Sequence, residues 1–435
     1  MSAEPGSRGP VARAAATRVE EIEARSAGFR KELGVVDLTL NQILFVVGTA
    51  WVGTAAKLGH AHLFFWLLAI ALFYLPQAAV VMYLNRLMPM EGGLYQWATA
   101  GLGRFAGYMV GWNLWAFAIV IMATFSVMIA TNISYLLGPG FAFVTRAWWY
   151  TPALSAATIA GVTLVAVLGL RVGKWIQNLG GAAQFFTYGA LVVVPFVALS
   201  RGTIDSYEPL QATVPQATPF NLNIFGKMAL GALTGFEYVA LLAGECRNPA
   251  RTIRNSVLVA APVIALMFIL GTSSVLAIVP NEQIDLISPI PQTLTMGFQG
   301  MGFAGLIVPA LILLLVLRQL GAVTLIFAGN TRLPMVAGWD GLLPAWFTRL
   351  HFRFRTPVNS IVVVGAITLA LTLAGQLGVG VQEAFQLLEN AAGILYAFAY
   401  LGMFAIPLIA VHRLAERPPV WLRAAALSGF AVTLL

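Results

Sequence analysis

The chain has 435 residues, of which 59% are hydrophobic and only 10% are charged. This composition is typical of integral membrane proteins and excludes an ordinary soluble domain. The net charge is +8, which we attribute to membrane topology and anionic lipid rather than to nucleic-acid binding. The single cysteine, Cys246, excludes an internal disulfide and a multi-cysteine metal site. No hydrolase, phosphate-loop or zinc-protease motif occurs, so we expect no catalytic residue, no bound metal and no cofactor.

Apolar runs of about 20 residues, enough to cross roughly 30 Å of hydrocarbon, recur along the chain. We predict eleven membrane spans, at 37–59, 62–85, 105–136, 150–170, 175–200, 222–246, 255–279, 300–331, 357–376, 383–411 and 419–435. The last run is still apolar at Leu434 and Leu435. We therefore expect that the sequence is cut short or that a twelfth span is missing.

Residues 1–36 precede the first span and carry arginines and glutamates without the apolar run of a signal peptide. We interpret them as a cytoplasmic tail that is either disordered or a short amphipathic helix. The predicted outer loops carry Lys57, Arg146 and Arg201, whereas most other Lys and Arg residues fall in the tail and the inner loops. This bias predicts a multi-pass protein of the cytoplasmic (inner) membrane with its N-terminus in the cytoplasm.

Two spans are interrupted by glycines near their middle, at Gly48–Gly53 in the first span and at Gly231–Glu237 in the sixth. Four further spans follow each interruption, and the odd spacing gives the two halves opposite orientation. We predict two inverted repeats, 37–200 and 222–411, followed by a trailing helix that begins at 419–435. Paired interrupted spans point to a transporter binding site. The alternative is that these glycines only allow helices to pack closely.

Several motifs carry a family resemblance. Gly235-Phe236-Glu237, followed by Gly244–Thr252, resembles the sixth-helix signature of the amino acid–polyamine–organocation superfamily of permeases. Glu91–Trp97 resembles that family's first cytoplasmic loop, and Asp340–Pro344 resembles its loop before the ninth span. Three motifs in the right order are specific for the superfamily but not for a substrate.

The resemblance implies an all-α LeuT-type fold of five plus five inverted spans, with an amino acid or amine held at mid-membrane. It implies that the substrate carboxylate meets backbone N–H groups near Gly48, Thr49, Ala50 and Gly53. It also implies that the amino group meets carbonyls around Ala232, Leu233 and Thr234. The remaining candidate substrate-binding residues are Trp51, Gly231, Gly235 and Phe236.

The sequence departs from the family pattern at three places, the first being the break Gly48-Thr49-Ala50, where the family has a Gly-Ser-Gly-type sequence. Many members have an aromatic gate where this chain has Gly231, so a lid must come from Trp51, Phe236 or Tyr396, or the pocket admits a larger side chain. Many proton-coupled members have a lysine where this chain has Gln184, which cannot exchange a proton near neutral pH. This weakens the case for proton coupling, and an exchanger needs no such group.

Several charged residues lie inside predicted spans, and Arg318, Glu237 and Glu389 are the ones nearest to mid-membrane or of unknown facing. An unpaired Arg318 would cost several kcal/mol there, so we expect it to bind the substrate carboxylate or to form an ion pair, with Glu237 or Glu389 as partner. We expect Glu237 to couple a proton or to hold the first helix against the sixth. For Glu389, whose facing is not predicted, we favour polar contact between helices.

The sequence therefore predicts a secondary transporter of an amino acid or related amine that works by alternating access. Its partners would be the substrate and the lipid bilayer, with protons as coupling ion if it is a symporter rather than an exchanger. The alternative is a receptor on a transporter fold that binds amino acids without net flux.

Overall fold

The computed structural model describes residues 17, 20–22, 24, 31–210, 213, 215, 218–302 and 304–435. Within these ranges the chain is helical, and its extended pairing is one isolated bridge between Leu33 and Cys246. The prediction for the tail, residues 1–36, lies mostly outside the described residues.

The helices follow the apolar runs of the sequence. In chain order they are α1 (Val35–Val46), α2 (Trp51–Ala56), α3 (Gly59–Leu87), α4 (Gly93–Leu102), α5 (Arg104–Leu137), α6 (Tyr150–Leu168), α7 (Leu170–Ser200), α8 (Pro219–Lys227, continued by a π-helical turn at Met228–Ala232), α9 (a 3-10 helix, Tyr238–Glu245), α10 (Pro249–Ile278), α11 (Pro289–Gly297), α12 (Ala304–Trp339), α13 (Val358–Ala374), α14 (Val381–Ile409) and α15 (Val420–Thr433).

Each predicted span contains helix. Seven helices are long and apolar enough to cross a membrane by themselves: α3, α5, α6, α7, α10, α12 and α14. The first span is divided into α1 and α2, and the sixth into α8 and α9. Helices α4 and α11, of 10 and 9 residues, lie outside the predicted spans because neither is long enough to cross a bilayer.

Two glycines set the crossing of α7 and α12. A Cβ atom at Gly180 would lie 3.1 Å from Cα of Gly321, and the reverse distance is also 3.1 Å. The two backbones therefore approach as closely as small residues allow in membrane helices. About one turn away from the contact, Arg318 on α12 donates a hydrogen bond directly to Gln184 on α7 and another to the end of α1. The crossing thus places a guanidinium beside the first broken span.

The two ends of the bundle differ in charge. The end where α1 begins has the predicted inner loops, which are rich in Lys and Arg, and is the basic end of the bundle. There the backbone of Leu33 pairs with that of Glu245 and Arg247, and Thr356 donates to the carbonyl of Val167. At the opposite end, Lys57 donates to the carbonyl of Asn281.

Candidate functional site

The first span is broken at its middle. Helix α1 ends at Val46, the N–H of Gly48 donates to the Val46 carbonyl at 2.8 Å, and α2 begins at Trp51. The residue that caps α2, Ala50, contributes no side-chain hydrogen bond to the helix. Because the first N–H groups of a helix have no partner within it, the start of α2 presents donors and partial positive charge.

The sixth span is also broken. The π-helical turn ends at Ala232, and the chain is unwound until α9 begins at Tyr238. Within this stretch Gly235 has φ of 130°, a conformation that residues with a side chain rarely adopt. A Cβ atom at Gly235 would also lie 2.3 Å from the ring of Phe45 on α1. Glycine is therefore required here both by backbone geometry and by contact with the first broken span.

Side chains of two other helices satisfy the unwound backbone. The N–H of Gly235 donates to the hydroxyl of Tyr400 at 2.8 Å. With the amide of Gln77 oriented to suit its neighbours, its nitrogen donates to the Leu233 carbonyl at 2.7 Å and its oxygen accepts from the N–H of Phe236 at 3.2 Å. Such partners are what make a non-helical backbone tolerable at membrane depth.

Glu237 links the sixth span to α14. One carboxylate oxygen accepts from the hydroxyl of Tyr396 and the other from that of Tyr400. One of the two roles predicted for Glu237 was to hold the first span against the sixth. In the structure its carboxylate instead links the sixth span to the tenth. The ring of Tyr396 stacks on Phe117 with centroids 3.8 Å apart, which fixes its hydroxyl toward the carboxylate.

A cavity of about 60 Å³ lies between the two breaks. Its lining residues are Phe45, Val46, Gly48, Trp51, Phe117, Ile121, Phe125, Leu230, Gly231, Thr234, Ile326, Glu389, Ala392, Gly393 and Tyr396. Of the predicted site residues, the structure therefore brings Gly48, Trp51, Gly231, Thr234 and Tyr396 together around one space.

The other predicted substrate-binding residues are not among those that line this cavity. They are Thr49, Ala50, Gly53, Ala232, Leu233, Gly235 and Phe236. Gly53 belongs to α2, where a Cβ atom would lie 2.8 Å from Pro289. Phe236 packs on the ring of Tyr74, with centroids 4.9 Å apart, so the structure does not place it as a lid.

The indole of Trp51 lies against both breaks. A Cβ atom at Gly48 would lie 2.5 Å from Cδ1 of Trp51, and one at Gly231 would lie 2.2 Å from Cη2 of the same ring. The absence of a side chain at both glycines therefore makes room for the indole. Trp51 occupies the space that an aromatic residue at position 231 would need.

Arg318 binds the end of α1. Its Nε donates to Oε1 of Gln184 at 2.5 Å, and its Nη2 donates to the carbonyls of Leu44 and Val47 at 2.9 and 2.5 Å. The guanidinium lies 5.7 Å from the ring centroid of Phe125, on the cavity wall. The predicted ion pair with Glu237 or Glu389 is wrong, because the partners of this guanidinium are neutral oxygens at the negative end of a helix.

Sequence reasoning missed Gln77 and Tyr400 as partners of the break, and it placed Glu389 in contacts between helices. One signal could have oriented Glu389. Ala392, Gly393 and Tyr396 follow it at spacings of three, four and seven residues, which place all four on one helix face. Since Tyr396 was already a candidate gate, this spacing could have placed Glu389 on the same side of α14, but the facing of Glu389 was not predicted.

Two broken helices that border one cavity, within a bundle of membrane-crossing helices, are typical of secondary transporters. A family model described as amino acid permease matches residues 33–435. The chain therefore belongs to the amino acid permease family and is a multi-pass membrane protein that carries out secondary transport of amino acids.

Individual relatives agree with this assignment. An uncharacterised transporter of Legionella pneumophila is 24% identical over 395 residues, which cover 89% of this chain and 83% of the relative. The branched-chain amino acid permease BcaP of Bacillus subtilis is 22% identical over 90% of this chain and 89% of its own. The crystal structure of MhsT in complex with L-phenylalanine matches with a TM-score of 0.65 and 14% identity, covering 93% of this chain and 98% of MhsT. This match confirms the predicted LeuT-type fold.

Proposed function

We propose that the chain holds an amino acid between the two breaks and exposes it to either side of the membrane in turn. The observation that carries this proposal is that Gly48 and Trp51 of the first break border the same cavity as Gly231 and Thr234 of the sixth. The two segments are distant in sequence, and both lose helical hydrogen bonds where they meet. An α-amino acid has charges that match these exposed ends.

The dipoles of the broken helices assign the two ends of the substrate. The N–H groups at the start of α2, around Thr49 and Ala50, are suited to the α-carboxylate. The carbonyls at the end of α8, around Ala232 and Leu233, are suited to the α-amino group. A cavity of about 60 Å³ has room for only a few water molecules. The indole of Trp51 must therefore move when an amino acid binds.

The position of Arg318 favours exchange over symport. In folds with broken spans, the C-terminal end of a half-helix coordinates the coupling cation. Here the corresponding carbonyls, of Leu44 and Val47, accept from a guanidinium that belongs to the chain. Gln184 beside it cannot carry a proton. We infer that transport depends on a counter-substrate rather than on a sodium or proton gradient.

Counterflow in proteoliposomes tests this function. Purified protein is reconstituted, the lumen is loaded with one unlabelled amino acid at a time, and uptake of the same labelled amino acid is measured with and without sodium and pH gradients. We expect uptake only into loaded vesicles, at a rate that neither gradient changes. Uptake into empty vesicles driven by a pH gradient would show symport. Saturable binding without uptake under any condition would favour a receptor.

The charge difference between the ends supports an orientation. Lys and Arg are concentrated at the basic end, and such loops stay on the cytoplasmic side. The proposal is that the basic end faces the cytoplasm and that the protein resides in the cytoplasmic membrane. The repeats 37–200 and 222–411 are proposed as the two inverted halves that move relative to each other.

A further inference from the structure

The wall of the substrate cavity contains a carboxylate without a partner. Glu389 on α14 lines the cavity together with Trp51, Gly231 and Tyr396. Among the described residues it makes no side-chain hydrogen bond and no ion pair within 4.0 Å. An ionised carboxylate that leaves bulk water requires a compensating donor or cation. Glu389 therefore lines the cavity without the hydrogen-bond donor or cation that an ionised carboxylate needs.

The other carboxylates buried in the bundle have donors. Glu237 accepts from two tyrosine hydroxyls, Glu91 accepts from the N–H of Gly244, and Glu245 pairs with Arg332. Glu389 differs from all three in facing open space rather than a donor. The structure thus separates carboxylates that hold the bundle together from one that faces the cavity.

Among the described residues, one cation lies near enough for its charge to act on Glu389. This cation is Lys227, the last residue of α8 and four residues before Gly231. The two side chains are not within 4.0 Å of each other. Lys227 is the internal competitor for any cation that enters the cavity, and a structural pair between these two residues is the alternative role for Glu389.

Aromatic rings cover much of the remaining wall, with Phe45, Trp51, Phe117 and Phe125 around the space. Aromatic faces attract cations. The fixed positive charge of Arg318 lies behind Phe125, where its guanidinium is directed to the end of α1. The wall therefore has a fixed positive charge behind it near the first break and an ionisable carboxyl group at α14.

We propose that Glu389 receives the positively charged side-chain end of the substrate, so that the transported class is amino acids with an amino or guanidino side chain. This inference rests on the proposed function, since the backbone breaks hold the α-amino and α-carboxylate groups. Glu389 supplies the third contact, which an aliphatic amino acid cannot use. It is a specificity-determining residue of the same site.

Counterflow of L-lysine and L-leucine by the full chain in proteoliposomes tests the assignment, with wild type, Glu389→Gln and Glu389→Asp compared. We expect wild type to exchange lysine. In Glu389→Gln the KM for lysine should rise about tenfold or more, the loss expected for one charge-assisted hydrogen bond. The KM for leucine, where leucine is accepted, should not rise, and Glu389→Asp should retain a preference for lysine. Glu383→Gln, an equal change of charge at an exposed position of α14, is the matched control.

The remaining outcomes separate the two proposals. If wild type exchanges leucine but not lysine, or if Glu389→Gln affects both alike, the cationic assignment is overturned and the transport function stands. Equal losses of melting temperature in Glu389→Gln and Lys227→Gln, with the lysine-to-leucine ratio unchanged, would likewise overturn it in favour of the structural pair. If no amino acid is exchanged by wild type, the proposed function fails and this inference fails with it.

Discussion

Trp51 lines the cavity from the first broken span, and its indole fits there because position 231 has no side chain. The indole also covers Gly48, so a single residue contacts both breaks. An indole from the first span thus occupies the space that an aromatic residue at position 231 would fill. Because the indole lies so close, Gly231 does not tolerate a side chain, although the backbone of Gly231 belongs to a helical turn.

At the residue scale, Gly231→Ala is expected to expel the indole from its position. The added Cβ would lie 2.2 Å from Cη2 of Trp51, and overpacking of this kind costs about 1–3 kcal/mol. We expect a lower melting temperature and impaired counterflow. Gly226→Ala on the same helix, where a Cβ meets nothing within 4 Å, is the control. Wild-type behaviour of Gly231→Ala would show that the indole is not held there.

A second expectation concerns Arg318. Replacing it by Ala removes the donor from the carbonyls of Leu44 and Val47, and transport should fall by about tenfold or more. Added methylguanidinium should restore part of the rate, because it fits the vacated space and has the same donors. Arg318→Lys should be a poor substitute, since an ammonium lacks the planar fork.

The control for this test is Arg86→Ala. Arg86 forms an ion pair with Glu416 in which the side chains are 57% and 58% exposed, and such pairs contribute little. Neither a loss of transport nor a response to methylguanidinium is expected. If Arg318→Ala transports normally, or acquires no response to methylguanidinium, the guanidinium is not needed at the end of α1.

At the scale of elements, the second break is held open by its neighbours. Gln77 on α3 and Tyr400 on α14 bind the unwound backbone, and Tyr400 also binds Glu237. A helix that loses its own hydrogen bonds inside a bilayer is stable only with such replacements. Any movement of α8 and α9 that changes access to the cavity must therefore carry α14 along or break these contacts.

A second group of contacts closes the basic end. Arg332 on α12 pairs with Glu245 on α9, and its Nε lies 3.7 Å from Glu91 in the connection between α3 and α4. Lys31 donates to the carbonyl of Gly244 at 2.5 Å. Segments from four parts of the chain thus meet around two buried carboxylates. Opening at the basic end requires these contacts to separate.

This group predicts a pH dependence. Burial, followed by the charge of Glu245, raises the pKa of Glu91 above its usual value of 4.5. The folded protein then holds this proton more tightly than the unfolded chain. The resulting stability is full below about pH 4.5 and is lost as the pH rises through the folded pKa. We expect the melting temperature of wild type to fall with rising pH more steeply than that of Glu91→Gln.

The measurement is thermal unfolding in detergent between roughly pH 5 and pH 9. Glu416→Gln removes an exposed carboxylate and should keep the wild-type slope. An identical slope in Glu91→Gln and wild type would show that Glu91 does not carry a tightly held proton in the closed protein.

For the molecule as a whole, hydropathy predicted the spans well because crossing a bilayer requires long apolar helices. Both breaks were also predicted, since Gly48 and Gly235 stand out within apolar runs. The first break is shorter than expected, because helix resumes at Trp51 and includes Gly53. Helices α4 and α11 were missed because they carry no span-length apolar run.

The contacts that shape the site could not be predicted, because they join residues distant in sequence. Trp51 was one of three candidates to replace an aromatic residue at position 231, but the sequence does not show which of them lies there. Nothing near Arg318 indicates that its partners are Gln184 and the end of α1. These pairings depend on the close crossing of helices, as at Gly180 and Gly321. Sequence patterns give the faces of helices, but not which faces meet.

The orientation of the whole molecule gives the last prediction. Single cysteines are introduced in a Cys246→Ser background, at Arg353 near the basic end and at Gln299 at the opposite end; both positions are exposed. The native thiol is buried, so its replacement should leave the fold intact. Because basic loops remain in the cytoplasm, a membrane-impermeant maleimide should label Gln299→Cys in intact cells, and Arg353→Cys only after lysis. Labelling of Arg353→Cys from outside would reverse the orientation, and with it the side toward which the contacts of Glu91 and Arg332 open.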